Sequence, residues 1–305
     1  MTTDSQHGEL DTRRVAVRVA EERGLELLGL AGEGVDFAVH RARCATHGEV
    51  ALRIPRHRVY SAPYGEVDAG DLVRQEHEIA RLLTGRGLPA APALELITLG
   101  DGLVVSLAGY VEHDGLPVAP KEVGRFLAAL HRLEPPTVKL AYQEPGDFPS
   151  FLTRRLTTRH AHLRDLDADL PELPGPGEIR AVLEAEPDDP RLLHLDVRRQ
   201  NLLGSGGRLS AVVDWSNALV GPVLMELARV AEYARLADNG IDADGILAGY
   251  ADSADLPDLH SRAALLHRLD TTVMLALVFH SVAPDPARAA DLVARSRHLL
   301  ELLGG

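Results

Sequence analysis

The segment HLDVRRQNLLGSGGRLSAVVD, residues 194–214, holds an aspartate, an asparagine five residues on, and a second aspartate closing an apolar run. These are Asp196, Asn201 and Asp214. An amide and a carboxylate offer the oxygen ligands that Mg²⁺ takes, with waters and substrate phosphates as its other partners. A second carboxylate nearby can orient a hydroxyl. That set is what phosphoryl transfer asks of a protein, because positioning and charge neutralisation do most of the work. Any one of these residues alone is an ordinary turn former; the spacing of the set carries the reading.

The elements that must position them are legible. Leu202-Leu203 and Leu209–Val213 are short β-type runs, and GSGGR between them is turn chemistry. A hairpin returns Asn201 and Asp214 to its open end, where directly opposed residues lie roughly 5 Å apart. Asp196 sits on the loop before the hairpin, placed to face a hydroxyl. His194 reads as a brace for that loop, and Arg199 as a solvated charge.

This stretch resembles the catalytic loop and metal-binding aspartate of protein-kinase-like enzymes. It is most similar to the aminoglycoside and macrolide phosphotransferase family, in which Trp commonly follows the second Asp, as Trp215 does here. The continuation SNALVGPVLMELARV also resembles that family. Gly221-Pro222 lacks the usual intervening Asp, and Glu226 holds the later acidic position. The resemblance implies Asp196 as the residue that accepts or orients the hydroxyl proton. It implies Asn201 and Asp214 as Mg²⁺ ligands. Arg198 stands where kinases carry a catalytic-loop Lys, and is expected to touch the transferred phosphate.

Upstream, LLGLAGEGVDFAVHRARCATHGEVALRI places two apolar strands around Ala-Gly-Glu-Gly and a third after it. Gly32 and Gly34 would let backbone N–H groups approach phosphate, although a plain hairpin also explains a lone Gly-x-Gly. VALR resembles the kinase V-A-I-K strand, with Arg53 in place of Lys. Arginine keeps the charge but presents a planar fork rather than a point charge. Arg56 and Arg58 read as surface charge.

The next run, DLVRQEHEIARLLTG, has helical periodicity, with Gly85 as its stop. The resemblance makes Glu76 the partner of Arg53. The apolar run LVVSLAGY then breaks into GLPVAP, like an interlobe hinge, and implies that adenine meets backbone near Ser106 and Leu107. KEVGRFLAALHRL follows as an amphipathic helix, with His131 a structural residue. Residues 109–120 and LPELPGPGE at 170–178 are candidate flexible segments.

Composition agrees. The chain of 305 residues, 45% apolar, supports two lobes. Its N-terminus is polar, and VMLALVF at 273–279 is too short to span a bilayer. A single cysteine, Cys44, excludes an internal disulfide and fits a cytoplasmic setting. Zinc is not expected. A formal charge of −13 provides no basic stripe for nucleic acid. Residues 1–106 carry 12 Lys/Arg and 16 Asp/Glu, leaving 20 and 29 for the remainder. A more acidic second half would steer a cationic acceptor, and is equally what a soluble acidic surface looks like.

The expected architecture is α+β: a protein-kinase-like two-lobed fold. A β-rich N-terminal nucleotide-binding lobe covers residues 1–106, and a mainly helical catalytic and acceptor-binding lobe covers 107–305. The expected activity is transfer from MgATP or MgGTP to a small-molecule hydroxyl, with an antibiotic as first acceptor class. A kinase of an ordinary metabolite and a nucleotide-binding pseudokinase are the alternatives; the intact Asp196, Asn201 and Asp214 argue against the latter. No membrane or nucleic-acid partner is expected, and the sequence does not set the oligomeric state.

Overall fold

The computed structural model describes residues 8–62, 65–187 and 189–304; residues 1–7 of the expected first lobe lie outside them. Helix α1 (Thr12–Arg23) opens with the Asp11 side chain accepting from Arg14 N, and closes on Gly24 at φ 63°. Strands β1 (Glu26–Glu33), β2 (Phe37–Cys44) and β3 (Gly48–Pro55) follow as an antiparallel meander. In β3 the period of two decides the site. Val50, Leu52 and Ile54 turn into the core, so Arg53 between them turns into the interlobe cleft.

A small ribbon, β4 (Val59–Ala62) with β5 (Gly65–Asp68), leads into α2 (Ala69–Gly85), which Asp68 caps. Leu72, Val73, Ile79 and Leu83 bury one face of α2, as their spacing predicts. Gly85 is the last helical residue, as expected, and the chain reverses at Gly87, φ 70°, where Leu88 N reaches back to Leu83 O. Only the residue in the left-handed region reverses the chain. Strands β6 (Ala93–Thr98) and β7 (Val104–Gly109) complete a five-stranded sheet in the order β1-β2-β3-β7-β6. β7 runs to Gly109, so the sheet extends past the 106/107 division.

The second lobe opens with α3 (Pro120–Leu130), α4 (Phe148–Leu166) and α5 (Pro176–Glu184). Helix α3 stops short of the expected Leu133, and LPELPGPGE separates α4 from α5 as its prolines require. Four short strands then carry the chemistry: β8 (Arg191–Leu193), β9 (Leu202–Ser205), β10 (Arg208–Val212) and β11 (Leu219–Gly221). β9 and β10 form the expected hairpin. β8 and β11 form a second antiparallel ribbon, Leu193 opposite Leu219, which was not foreseen because three-residue strands carry no periodicity. It ties together the two ends of the segment that holds Asp196 and Asp214.

Helices α6 (Val223–Tyr233), α7 (Ala243–Ala251), α8 (Arg262–Leu277) and α9 (Pro286–Gly304) complete the lobe. Helix α7 lies directly on α3: a Cβ on Gly124 would come within 2.0 Å of Ile246 O, and one on Gly249 within 2.4 Å of Lys121 O. Helix α8 continues as a wide helical turn to Val282. By length and hydropathy alone this stretch could cross a membrane, but 72% of its most apolar window is buried within the fold. Its apolar side chains belong to a core shared with α4, α6 and α9.

Candidate active site

The loop after β8 is held from below by one carboxylate. Glu226 on α6 is fully buried and accepts from His194 N at 2.5 Å and Leu195 N at 2.8 Å. Burial disfavours its charge, but His131, His194 and the Leu195 N–H together hold it below the usual carboxylate range. Leu195 sits at φ 60°, a strained conformation for a branched side chain that needs such anchoring. Glu226, at the later acidic position of that segment, is therefore a clamp on the loop that carries Asp196.

His194 is the brace that the sequence suggested. Its Nδ1 accepts from Asp196 N at 3.1 Å, so the proton resides on Nε2, which donates to Val213 O at 3.0 Å. The ring packs edge-on against Trp215, 4.5 Å between centroids. One imidazole thus fixes the register between the loop and the end of the hairpin.

Asp196 is 6% exposed. Asn201 Nδ2 donates to its carbonyl at 2.9 Å and to its Oδ2 at 2.7 Å, and Arg198 Nε lies 3.1 Å from the same Oδ2. Among the described residues, no hydrogen bond reaches Oδ1. Val213 N donates to Asn201 O at 3.0 Å, which sets Asp214 beside Asn201 at the open end of the hairpin, as expected. Asp214 itself adopts φ 65°.

Arg53 joins the lobes. Its Nη2 donates to Glu76 Oε1 at 2.7 Å and to Asp214 Oδ1 at 3.0 Å, and its guanidinium lies 4.0 Å from the Phe37 ring centroid. The expected Arg53–Glu76 pair is present. Two carboxylates share this guanidinium. Burial opposes charge on both, yet Arg53 and Ser216 hold Asp214 low, while burial and the Asp214 charge push Glu76 up to about 7. Ser216 is a participant the sequence reading missed: its hydroxyl lies 2.8 Å from both Glu76 Oε1 and Asp214 Oδ1. Gln75, also missed, donates from Nε2 to the Trp215 carbonyl at 2.6 Å, while its Oε1 accepts from Ala141 N. Its only sequence signal was a polar residue on the apolar side of α2.

Arg53, Glu76, Asp196, Arg198, Asn201, Asp214 and Ser216 line a cleft of about 640 Å³ between the lobes. Gly32 and Gly34 form part of its wall, where a Cβ on Gly32 would meet no protein atom and one on Gly34 only Phe37 O, at 3.8 Å. Gly34 spends its own N–H on the turn, donating to Phe37 O at 2.8 Å. Among the described residues, the N–H groups of Val35 and Asp36 at the loop tip donate to no protein acceptor. Arg56 is no mere surface charge: its Nη1 donates to Gly34 O at 2.8 Å, and it pairs with Glu9. Arg58 pairs with Asp101, and Arg199 donates to Gly115 O.

The hinge also shifts. Ser106 lines the cleft, but Leu107 turns into the core of the first lobe. Both lie inside β7, paired with β3 on one side and β6 on the other, so their backbone is committed to the sheet. Gly109, Tyr110 and Val111 line the cleft where pairing ends. Among the described residues, Val111 N–H has no protein acceptor.

The donor set fits Mg²⁺. With Nδ2 committed to Asp196, Asn201 has its carbonyl oxygen to offer, and Asp214 has Oδ2. Among the described residues no cluster of three His, Cys, Asp or Glu could hold a metal alone.

Comparison with known proteins places this geometry. The sequence pattern described as the phosphotransferase enzyme family matches residues 30–295. No curated protein matches the chain by sequence. Solved structures share its fold. A thermostable mutant of the aminoglycoside phosphotransferase APH(4)-Ia, in a ternary complex with ADP and hygromycin B, is 16% identical, with a TM-score of 0.65 over 95% of this chain and 99% of that one. A choline/ethanolamine kinase family protein from Mesorhizobium loti is 18% identical, with a TM-score of 0.61 over 97% and 100%. A macrolide 2'-phosphotransferase type I is 19% identical, with a TM-score of 0.56 over 94% and 98%.

Proposed function

The chain belongs to the phosphotransferase enzyme family, a small-molecule phosphotransferase, and from that premise we propose that it moves the γ-phosphoryl of MgATP or MgGTP to a hydroxyl, with Asp196 as base. The observation that carries this is the division of labour on one carboxylate. Oδ2 of Asp196 is held by Asn201 and flanked by Arg198, and Oδ1 is left for the acceptor hydroxyl. Held in that geometry, the side chain orients the hydroxyl oxygen and takes its proton as the P–O bond forms. Arg198, beside Asp196 and within the field of Asp214, neutralises charge on the transferred group. Arg53 grips the triphosphate from the first lobe, and Val35 and Asp36 offer backbone donors. Asn201 and Asp214 would hold Mg²⁺, which supplies charge neutralisation of the phosphate oxygens.

The acceptor follows from weaker support. An antibiotic hydroxyl is the first reading, on likeness to the aminoglycoside and macrolide enzymes. Likeness to a choline/ethanolamine kinase family protein supports a metabolite alcohol as the second. Fold likeness is a weak guide to substrate. Release of ADP or GDP over a panel of both acceptor classes, beside drug susceptibility of an expressing strain, tests the proposal. An active Asp196→Asn variant would remove the assigned base.

A further inference from the structure

Glu226 holds the backbone ahead of Asp196, but a buried carboxylate must itself be held. Its Oε2 and Oε1 accept from His194 N and Leu195 N, and both of those donors belong to the loop. His131, at the end of α3, stands beside the same carboxylate. Its Nε2 lies 3.8 Å from Glu226 Oε2, and the two side chains are 2% and 1% exposed. Its Nδ1 lies 3.2 Å from the hydroxyl of Tyr250 on α7. Nε2 has no hydrogen-bond partner. A carboxylate beside Nε2 favours the ring proton there, so Nδ1 is the acceptor and the phenol donates to it.

The close approach of α3 and α7 makes this contact possible. A Cβ on Gly124 would come within 2.5 Å of Tyr250 N, so the tyrosine leaves α7 beside that glycine. His131 follows Gly124 by seven residues and shares its face of the helix. The Tyr250 side chain spans that distance, with its ring centroid 5.6 Å from that of His131. His131 and Tyr250 lie on the wall of a separate hollow of about 1070 Å³ in the second lobe, and not on that of the interlobe cleft. An effect of either on transfer must therefore pass through Glu226.

We propose that Tyr250 and His131 are positioning residues for the base: the phenol orients the imidazole, the imidazole fixes Glu226, and Glu226 fixes the loop that presents Asp196. This rests on the phosphotransfer reading and extends it to a helix pair behind the cleft. No proton moves along the series. The hydroxyl donates to Nδ1, the Nε2–H dipole points at the carboxylate, and the carboxylate accepts from the loop. A base displaced by about 1 Å can lose on the order of 10²-fold in rate, so a support this far from the chemistry can still set kcat.

The test reads ADP release from MgATP, to the best acceptor of the panel or to water, beside hydrogen exchange at residues 193–197. His131→Leu should lower kcat by about 10- to 100-fold, with KM for ATP within about twofold of wild type. Glutamine places an amide N–H near the position of imidazole Nε2, so His131→Gln should recover most of the loss. His131→Asn, whose amide matches Nδ1, should not. Tyr250→Phe should lower kcat less, by roughly three- to tenfold. In an Asp196→Ala background, His131→Leu should change the residual rate by less than about twofold, because an absent base cannot be misplaced. Loss of folded enzyme would lower both backgrounds alike. The amides of His194 and Leu195 should exchange at least about tenfold faster in His131→Leu, with the first lobe unchanged. Equal losses in the two backgrounds, unchanged exchange at 194–195, or glutamine no better than asparagine overturns the inference. Wild-type protein that binds no MgATP would count against phosphotransfer itself, while the exchange result would still decide whether His131 holds the loop.

Discussion

Asn201 gives its side-chain N–H to Asp196 Oδ2 at 2.7 Å, so one amide links the proposed metal ligands to the proposed base. On that proposal, the side chain that leaves a carbonyl oxygen for Mg²⁺ also fixes which oxygen of Asp196 faces the acceptor. Loss of Asn201 should therefore damage both functions, whereas loss of Asp196 should damage one.

Asp196→Ala should lower kcat by about 10²–10⁴-fold, the usual worth of general-base assistance, with MgATP affinity within a few-fold of wild type. Asn201→Ala should lower kcat and weaken Mg²⁺-dependent nucleotide binding together. Isothermal titration beside steady-state kinetics separates the two. Normal Mg²⁺ dependence in Asn201→Ala would remove it from the metal site.

Arg53 holds Glu76 and Asp214 with one planar fork. Lysine is a point charge on a flexible stem and cannot span both with the same geometry. Arg53→Lys should keep nucleotide binding but raise KM for ATP, by roughly three- to tenfold, with a smaller change in kcat. Arg53→Ala leaves a buried and a half-buried carboxylate without their shared cation, and should unfold at lower denaturant than Arg53→Lys.

Glu226 satisfies two buried backbone donors, one of them on a residue with positive φ. Glu226→Ala should destabilise the fold by about 2–4 kcal/mol, from two orphaned N–H groups. Folded Glu226→Ala should still bind nucleotide while losing turnover, because the loop it releases carries Asp196. Urea unfolding with fixed-time activity assays gives both numbers.

Gly124→Ala drives a methyl to 2.0 Å from Ile246 O, a backbone atom that cannot rotate away. Helices α3 and α7 would have to separate, at a cost of about 3 kcal/mol or more. Gly32→Ala meets no protein atom. It should leave the unfolding midpoint almost unchanged while weakening nucleotide binding. Equal unfolding shifts in the two variants would contradict this packing.

Asp36 faces the cleft, and burial together with the Asp214 charge pushes it from its ordinary 3.8 up to about 6. An acid whose folded value is raised binds more protons folded than unfolded between those values, so its contribution to stability falls as pH rises from about 4 to about 6. Above that range the folded protein carries a disfavoured charge. Asp36→Asn should raise stability at pH 7.5, by on the order of 1 kcal/mol after solvent screening, and should leave it unchanged near pH 3.5. Unfolding curves at the two pH values decide it.

The order of side chains along the chain already determined much. The alternation in β3 sets Arg53 against the core residues, the turn residues at 204–207 close the hairpin, and that hairpin brings Asn201 to Asp214. These are local consequences of backbone period and turn chemistry. Tertiary structure decided the rest. Nothing near Glu226 announces that it will hold the backbone at residues 194–195, and nothing near Gln75 that it will hold the carbonyl of Trp215. Pairing on both sides of β7 uses up the backbone of Ser106 and Leu107, which no local pattern announced. Gly34 spends its own N–H on a turn bond that only the folded loop makes. Residues far apart in sequence meet only when helices and sheets pack, and packing depends on the whole set of buried faces rather than on any local pattern.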